Sequence, residues 1–131
     1  MILVLSLSLC IYLVPQKMTH NDSRNICQGF GGDLISWFDK SEYMPLRIWQ
    51  QEMCLDAQHD YDCNNYWSNA NDLLITGVYM WGDGPELLAT EYWEPTAPDG
   101  WNDHCAFFRP NGLLNDKHCN DYYYSICQIR K

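Results

Sequence analysis

The sequence predicts an α+β domain stapled by disulfides, and three observations lead there. Thr19-His20-Asn21-Asp22 has the form of a capping box and opens a helical stretch. Pro110-Asn111-Gly112, set between HCAFF (104–108) and the segment after Gly112, is a hairpin signal. Seven cysteines, at 10, 27, 54, 63, 105, 119 and 127, are dense for a chain of 131 residues. That density points to an oxidising compartment, so a secreted, extracellular protein is expected. No two cysteines have the C-x-x-C spacing, which disfavours a zinc knuckle or a thioredoxin-type site. Six cysteines allow fifteen pairings and a seventh is left over, so spacing alone does not settle the connectivity.

Taken in order, residues 1–14 (MILVLSLSLCIYLV) read either as a signal peptide or as a first strand. The run is too short to span a bilayer and lacks a basic leading region. Cys10, Tyr12 and Val14 alternate with Ile11 and Leu13, and Pro15-Gln16 ends the run. Residues 15–131 form the domain. In the first helix Ile26 and Phe30, four apart, are expected on the inner face, and GFGG (29–32) closes it. DLISW (33–37) reads as a short buried strand. A second helix is expected from about Ser41 to Met53, with Pro45 confined to its first turn. Residues 54–72 are polar and turn-rich and read as a loop cinched by Cys54 and Cys63. ITGVYMWGDG (75–84) alternates like a strand. Residues 82–104 are rich in Gly and Pro, and a loop that long between disulfides is a candidate functional segment. DYYYSICQI (121–129) is the closing strand.

Composition excludes several classes. Hydrophobic residues make up 47% and aromatics 15%, which argues for one ordered core. A net charge of −9 disfavours nucleic acid and anionic membrane, both of which attract clustered Lys and Arg. No nucleophile stands beside a histidine at a recognisable spacing, and no carboxylate pair reads as acid and base, so no enzyme is expected.

The ordered set of Cys27, GGDLIS, Tyr66-Trp67 ahead of ITGVYMWGDG, Glu94-Pro95-Thr96, Cys105, NGLLNDKHC and Cys127 resembles the C-type lectin-like domain, over roughly residues 10–129. The resemblance implies a C-type lectin-like fold, with two helices flanking small antiparallel sheets and a long loop region. It also implies the bridges Cys27–Cys127 and Cys105–Cys119, leaving Cys54–Cys63 as a local one. In that family Asn-Asp-x-x-Cys is a cation-binding segment, matched here by Asn115-Asp116-Lys117-His118-Cys119. Trp101-Asn102-Asp103 only looks like it, although Asp103, two before Cys105, matches a separate ligand position. Leu114 stands where the family has a tryptophan, leaving less volume beneath the loop.

The resemblance therefore implies one bound calcium, with Glu94, Thr96, Asp103, Asn115 and Asp116 as metal-binding and carbohydrate-binding residues. The chemistry is coherent, because Ca²⁺ takes six to eight oxygens and these residues offer only oxygen. Open coordination positions would accept vicinal sugar hydroxyls. The family's cis bond is expected at Glu94–Pro95, where it would re-aim flanking oxygens. The glutamate order leans to mannose, fucose or GlcNAc-type glycans. The auxiliary calcium site does not carry over: Asp72 fills one position, while Thr76, Ala97 and His104 stand where carboxylates are needed. The expected function is calcium-dependent binding of glycans or glycoproteins, with no membrane span. The alternative is a calcium-independent protein-binding or structural domain, favoured by Leu114 and Thr96.

Other residues have plainer readings. Trp67, Trp81 and Trp93 read as core, and Trp101 as a loop residue that is either partly buried or sugar-stacking. His20, His59, His104 and His118 all read as surface. Asn21-Asp22-Ser23 is a glycosylation sequon at a helix start. Shallow sugar sites bind weakly, so several copies, as in an oligomer, are expected. A retained Cys10 thiol would offer one way to link two chains.

Overall fold

The computed structural model describes residues 2–4, 9–36, 65–84, 90–98, 102–109 and 112–130. The expected second helix, the Cys54–Cys63 bridge, Trp37, His59 and Trp101 lie outside the described residues.

Helix α1 (His20–Gly29) starts where the capping box places it. The Thr19 hydroxyl accepts the Asp22 amide at 3.2 Å, satisfying one of the orphan N–H groups of the first turn. At the other end the amides of Gly31 and Gly32 donate to the carbonyls of Gln28 and Cys27. A Cβ on Gly32 would collide with the Gln128 carbonyl, so a bare backbone is needed where the helix end meets the last strand. The buried stripe is His20, Ser23 and Cys27, at helical spacing.

Ile26 and Phe30, expected on the inner face, instead point outward at 38% and 48% exposure. The disulfide at Cys27 and the contacts of His20 fix the helix rotation, which turns Ile26 away from the sheet. Phe30 rests against the Tyr12 ring. His20 corrects a second expectation, because it is buried and not at the surface. Its Nε2 lies 2.8 Å from the Ser68 carbonyl, and its ring meets Trp67 edge-on. Burial lowers its pKa to about 4, opposed by the Ser68 bond, with smaller contributions from Arg24 (lowering) and Asp33 (raising).

The strands are β1 (Ile2–Val4), β2 (Leu9–Met18), β3 (Asp33–Leu34), β4 (Tyr66–Asn71), β5 (Met80–Trp81), β6 (Cys105–Phe108), β7 (Leu114–Lys117) and β8 (Tyr123–Arg130). They form one sheet in the order β1-β2-β8-β4-β6-β7, with β3 also on β8 and β5 on β4. Among these strands, all described pairings are antiparallel except β4 with β8. The closing strand falls where it was expected. So does the β6–β7 hairpin, whose Gly112 has φ 80° and donates to the Arg109 carbonyl.

Two expectations along this stretch are corrected. Residues 66–71, read as loop, are a strand buried at every position. Pairing with β6 and β8 covers both edges of β4 and the two cores cover its faces; Asn69 Oδ1 is buried without a partner, while Ser68 and Asn71 are satisfied internally. Ser68 donates to the Ala106 carbonyl at 2.8 Å, and Asn71 Nδ2 to the carbonyls of Asn69 and Gly82. Conversely, only Met80–Trp81 of the predicted 75–84 strand pairs with the sheet. Residues before it form a bend and turn with Ile75 exposed.

Strand alternation sends buried side chains to two cores. Tyr66, Phe108, Leu114 and Ile126 join Trp81 and Trp93 in one; Trp67, Phe107, Cys105 and Cys127 join Cys27 and Leu34 in the other. Trp67, Trp81 and Trp93 are core as expected. Both implied bridges, Cys27–Cys127 and Cys105–Cys119, are formed.

Ser23 Oγ is buried without a hydrogen-bond partner. Ser23→Ala is therefore expected to hold or raise the melting temperature, since an unsatisfied buried hydroxyl carries a desolvation penalty of about 1–3 kcal/mol. A clear fall in a thermal melt would show that the hydroxyl is used.

Candidate functional site

The site region is built where the 93–98 turn lies along β7. Trp93 bridges Leu114 in parallel, and the Glu94 amide donates to the Leu114 carbonyl at 3.0 Å. That backbone contact fixes the Glu94 carboxylate, which is only 14% exposed. Its Oε2 accepts Asn115 Nδ2 at 2.9 Å and its Oε1 accepts Arg109 Nη1 at 3.0 Å. Two predicted ligands twenty-one residues apart thus meet directly. Arg109, which sequence reasoning missed, brings a positive charge to the same carboxylate and stacks over the Phe107 ring. Its only sequence signal was a lone basic residue at the hairpin entry. With Arg109 46% exposed, the ion pair contributes at most about 1 kcal/mol.

A second group gathers around Tyr79. Its hydroxyl donates to the Asp103 carbonyl at 2.7 Å. Burial, reinforced by the nearby charges of Asp72, Asp116 and Asp103, holds this phenol well above its ordinary pKa. Asp103 and Asp116 both act electrostatically on Tyr79, and they stand two and three residues before the joined cysteines Cys105 and Cys119. Asp116 is buried and Asp103 half-buried. Strand β7 alternates in burial, so Leu114 and Asp116 face inward while Asn115 and Lys117 face the other way.

Thr96 stands exposed at the turn closed by the Ala97 amide on the Glu94 carbonyl. The cis bond expected at Glu94–Pro95 is found three residues on, at Ala97–Pro98. Among the described residues, no three His, Cys, Asp or Glu side chains form a cluster able to hold a metal. The donors nonetheless fit a hard cation in kind: the Asp103 and Asp116 carboxylates and the Asn115 amide oxygen are all oxygen ligands on adjoining segments.

At the auxiliary position the protein supplies its own partner. Asp72 Oδ1 meets His104 Nδ1 at 2.9 Å, and Oδ2 accepts the Gly77 amide at 2.8 Å.

The family model described as "Lectin C-type domain" matches residues 16–129. The chain is 28% identical over 123 residues to human "C-type mannose receptor 2", covering 91% of this chain and 8% of that receptor's length. Its fold is similar to that of the mouse scavenger receptor C-type lectin carbohydrate-recognition domain, with TM-score 0.73, 22% identity, and 95% and 90% of the two chains covered. It is also similar to a calcium-independent type II antifreeze protein, with TM-score 0.71, 22% identity, and 94% and 87% covered. This chain belongs to the C-type lectin domain family.

Proposed function

We propose that the chain binds glycans at the face shared by the 94–98 turn, the Asn102–His104 segment and β7, with one calcium ion held by Asp103, Asn115, Asp116 and Glu94. The contact between Glu94 and Asn115 at 2.9 Å carries the reading, because it joins the tripeptide turn to the Asn-Asp strand. When bound, the calcium supplies open coordination positions for vicinal sugar hydroxyls. The chain's own groups orient the sugar: Glu94 accepts from a hydroxyl, and the exposed Thr96 hydroxyl donates or accepts at the rim. The glutamate order and a relative named for mannose favour mannose, fucose or GlcNAc-type ligands over galactose.

Calorimetric titration with calcium, followed by a glycan array in calcium and again in EDTA, tests this. The expected result is calcium-dependent retention of mannose-type glycans. Asp103→Asn is expected to weaken calcium binding by about tenfold or more, since it removes one of few charged ligands. No heat with calcium and an array unchanged by EDTA would end the calcium reading.

One observation favours a second reading. Arg109 already neutralises Glu94, so an internal guanidinium stands in for part of a metal's charge, and binding then needs no calcium. Arg109→Gln separates the two readings. With calcium as the bridge it tightens calcium binding by releasing Glu94; without calcium it abolishes ligand capture that had persisted in EDTA.

A further inference from the structure

The turn between β4 and β5 carries Leu73, Leu74 and Ile75 in succession, at 61%, 60% and 57% exposure. Three adjacent bulky aliphatics on a surface are an error of patterning unless they serve a contact. The turn is internally braced. Asp72 Oδ2 accepts the Gly77 amide, Asn71 Oδ1 accepts the Leu73 amide, and the Val78 amide donates to the Ile75 carbonyl. Both of its roots are tied to the same neighbouring segment. The Asp72 amide donates to the His104 carbonyl at 3.0 Å, and its carboxylate meets the His104 ring. On the other side the Tyr79 hydroxyl reaches the Asp103 carbonyl. The apolar tip is therefore fixed beside Asp103, at the edge of the proposed glycan face.

What could cover this tip is limited by its size and by the chain's charge. Its three side chains expose on the order of 300 Å² of apolar surface, within the range of functional surface patches. A stable dimer buries about 800 Å² per partner, so a second copy finds too little here. A net charge of −9 opposes approach to an anionic bilayer. An uncharged alkyl chain attached to the sugar meets both limits. We propose that the ligand is a neutral glycolipid, its sugar at the Asp103–Asn115 face and its alkyl chain laid across Leu73, Leu74 and Ile75. This rests on the glycan reading above and names the class of ligand for that site.

The test titrates the full chain, with calcium present, against methyl, hexyl and octyl mannosides below their micelle concentrations. Octyl mannoside is expected to bind at least about tenfold more tightly than methyl mannoside, from methylenes removed from water. The double variant Leu73→Ser/Leu74→Ser is expected to lose that gain while keeping the affinity for methyl mannoside. Equal affinity for methyl and octyl mannosides overturns this inference and leaves the glycan reading standing. So does equal competition by a sugar-free octyl polyethylene glycol ether. Sedimentation showing a wild-type dimer that the double variant dissociates would assign the tip to a second copy and likewise overturn it. If no mannoside binds, the glycan reading falls and takes this inference with it.

Discussion

Replacing Cys27 and Cys127 together by alanine is expected to lower stability by about 4–5 kcal/mol, the chain-entropy value for a closed loop of this length. The two residues are separated by 100 positions, so the bridge restricts nearly the whole unfolded chain. It also closes the second core, where both sulfurs are buried beside Trp67 and Phe107. The loss is on the scale of a small domain's total stability, so the variant is expected to be largely unfolded at body temperature. Chemical denaturation of the oxidised protein and the variant measures it. A difference under about 2 kcal/mol, below the usual range for a native disulfide, would show that the unfolded chain is already confined by other means.

The next largest effect concerns acid. His20 titrates near 6.5 in the unfolded chain and at about 4 in the folded one. Between those values the unfolded state binds the proton and the folded state does not, so stability falls as pH drops through the window. The gap corresponds to a loss on the order of 3 kcal/mol, complete once the pH is below about 4. Below that point the folded ring is protonated as well, and this group adds no further slope. The ring sits against the Ser68 carbonyl, with Arg24 and Asp33 as the charged groups acting on it. His20→Gln keeps an N–H donor for that carbonyl and cannot titrate. The wild type is expected to lose stability between pH 6.5 and pH 4 more steeply than His20→Gln. Parallel curves from denaturant titrations at several pH values would refute the assignment.

Features that depend on neighbours in sequence were legible before the structure. Thr19 capping Asp22, the turn at Gly112 and the closing strand follow from local rules, and the resemblance carried both described bridges. What escaped depends on distant partners. Strand β4 reads as loop because Ser68, Asn69 and Asn71 are polar. Only the Ala106 carbonyl of β6 and the Gly82 carbonyl in the turn after β5 explain how Ser68 and Asn71 are buried. The rotation of α1 is set by Cys27 and His20, not by the larger apolar side chains at 26 and 30. At the candidate site, the resemblance, through the spacing to Cys105 and Cys119, singled out Asp103, Asn115 and Asp116. The capture of Glu94 by Arg109 was invisible, since nothing local links residues fifteen positions apart across a turn and a strand.

The pairing of β2 with β8 puts Leu9 opposite Arg130, so the start of one strand and the end of the other lie side by side. Strand β7, with Asn115 and Asp116, lies three strands from β8 at the far side of the sheet, roughly 14 Å away at ordinary strand spacing. A tether joined at either end would leave that far rim unobstructed. Domains strung as beads on a longer polypeptide could each turn the same rim outward, and the grip of many weak contacts would then scale with the number of beads.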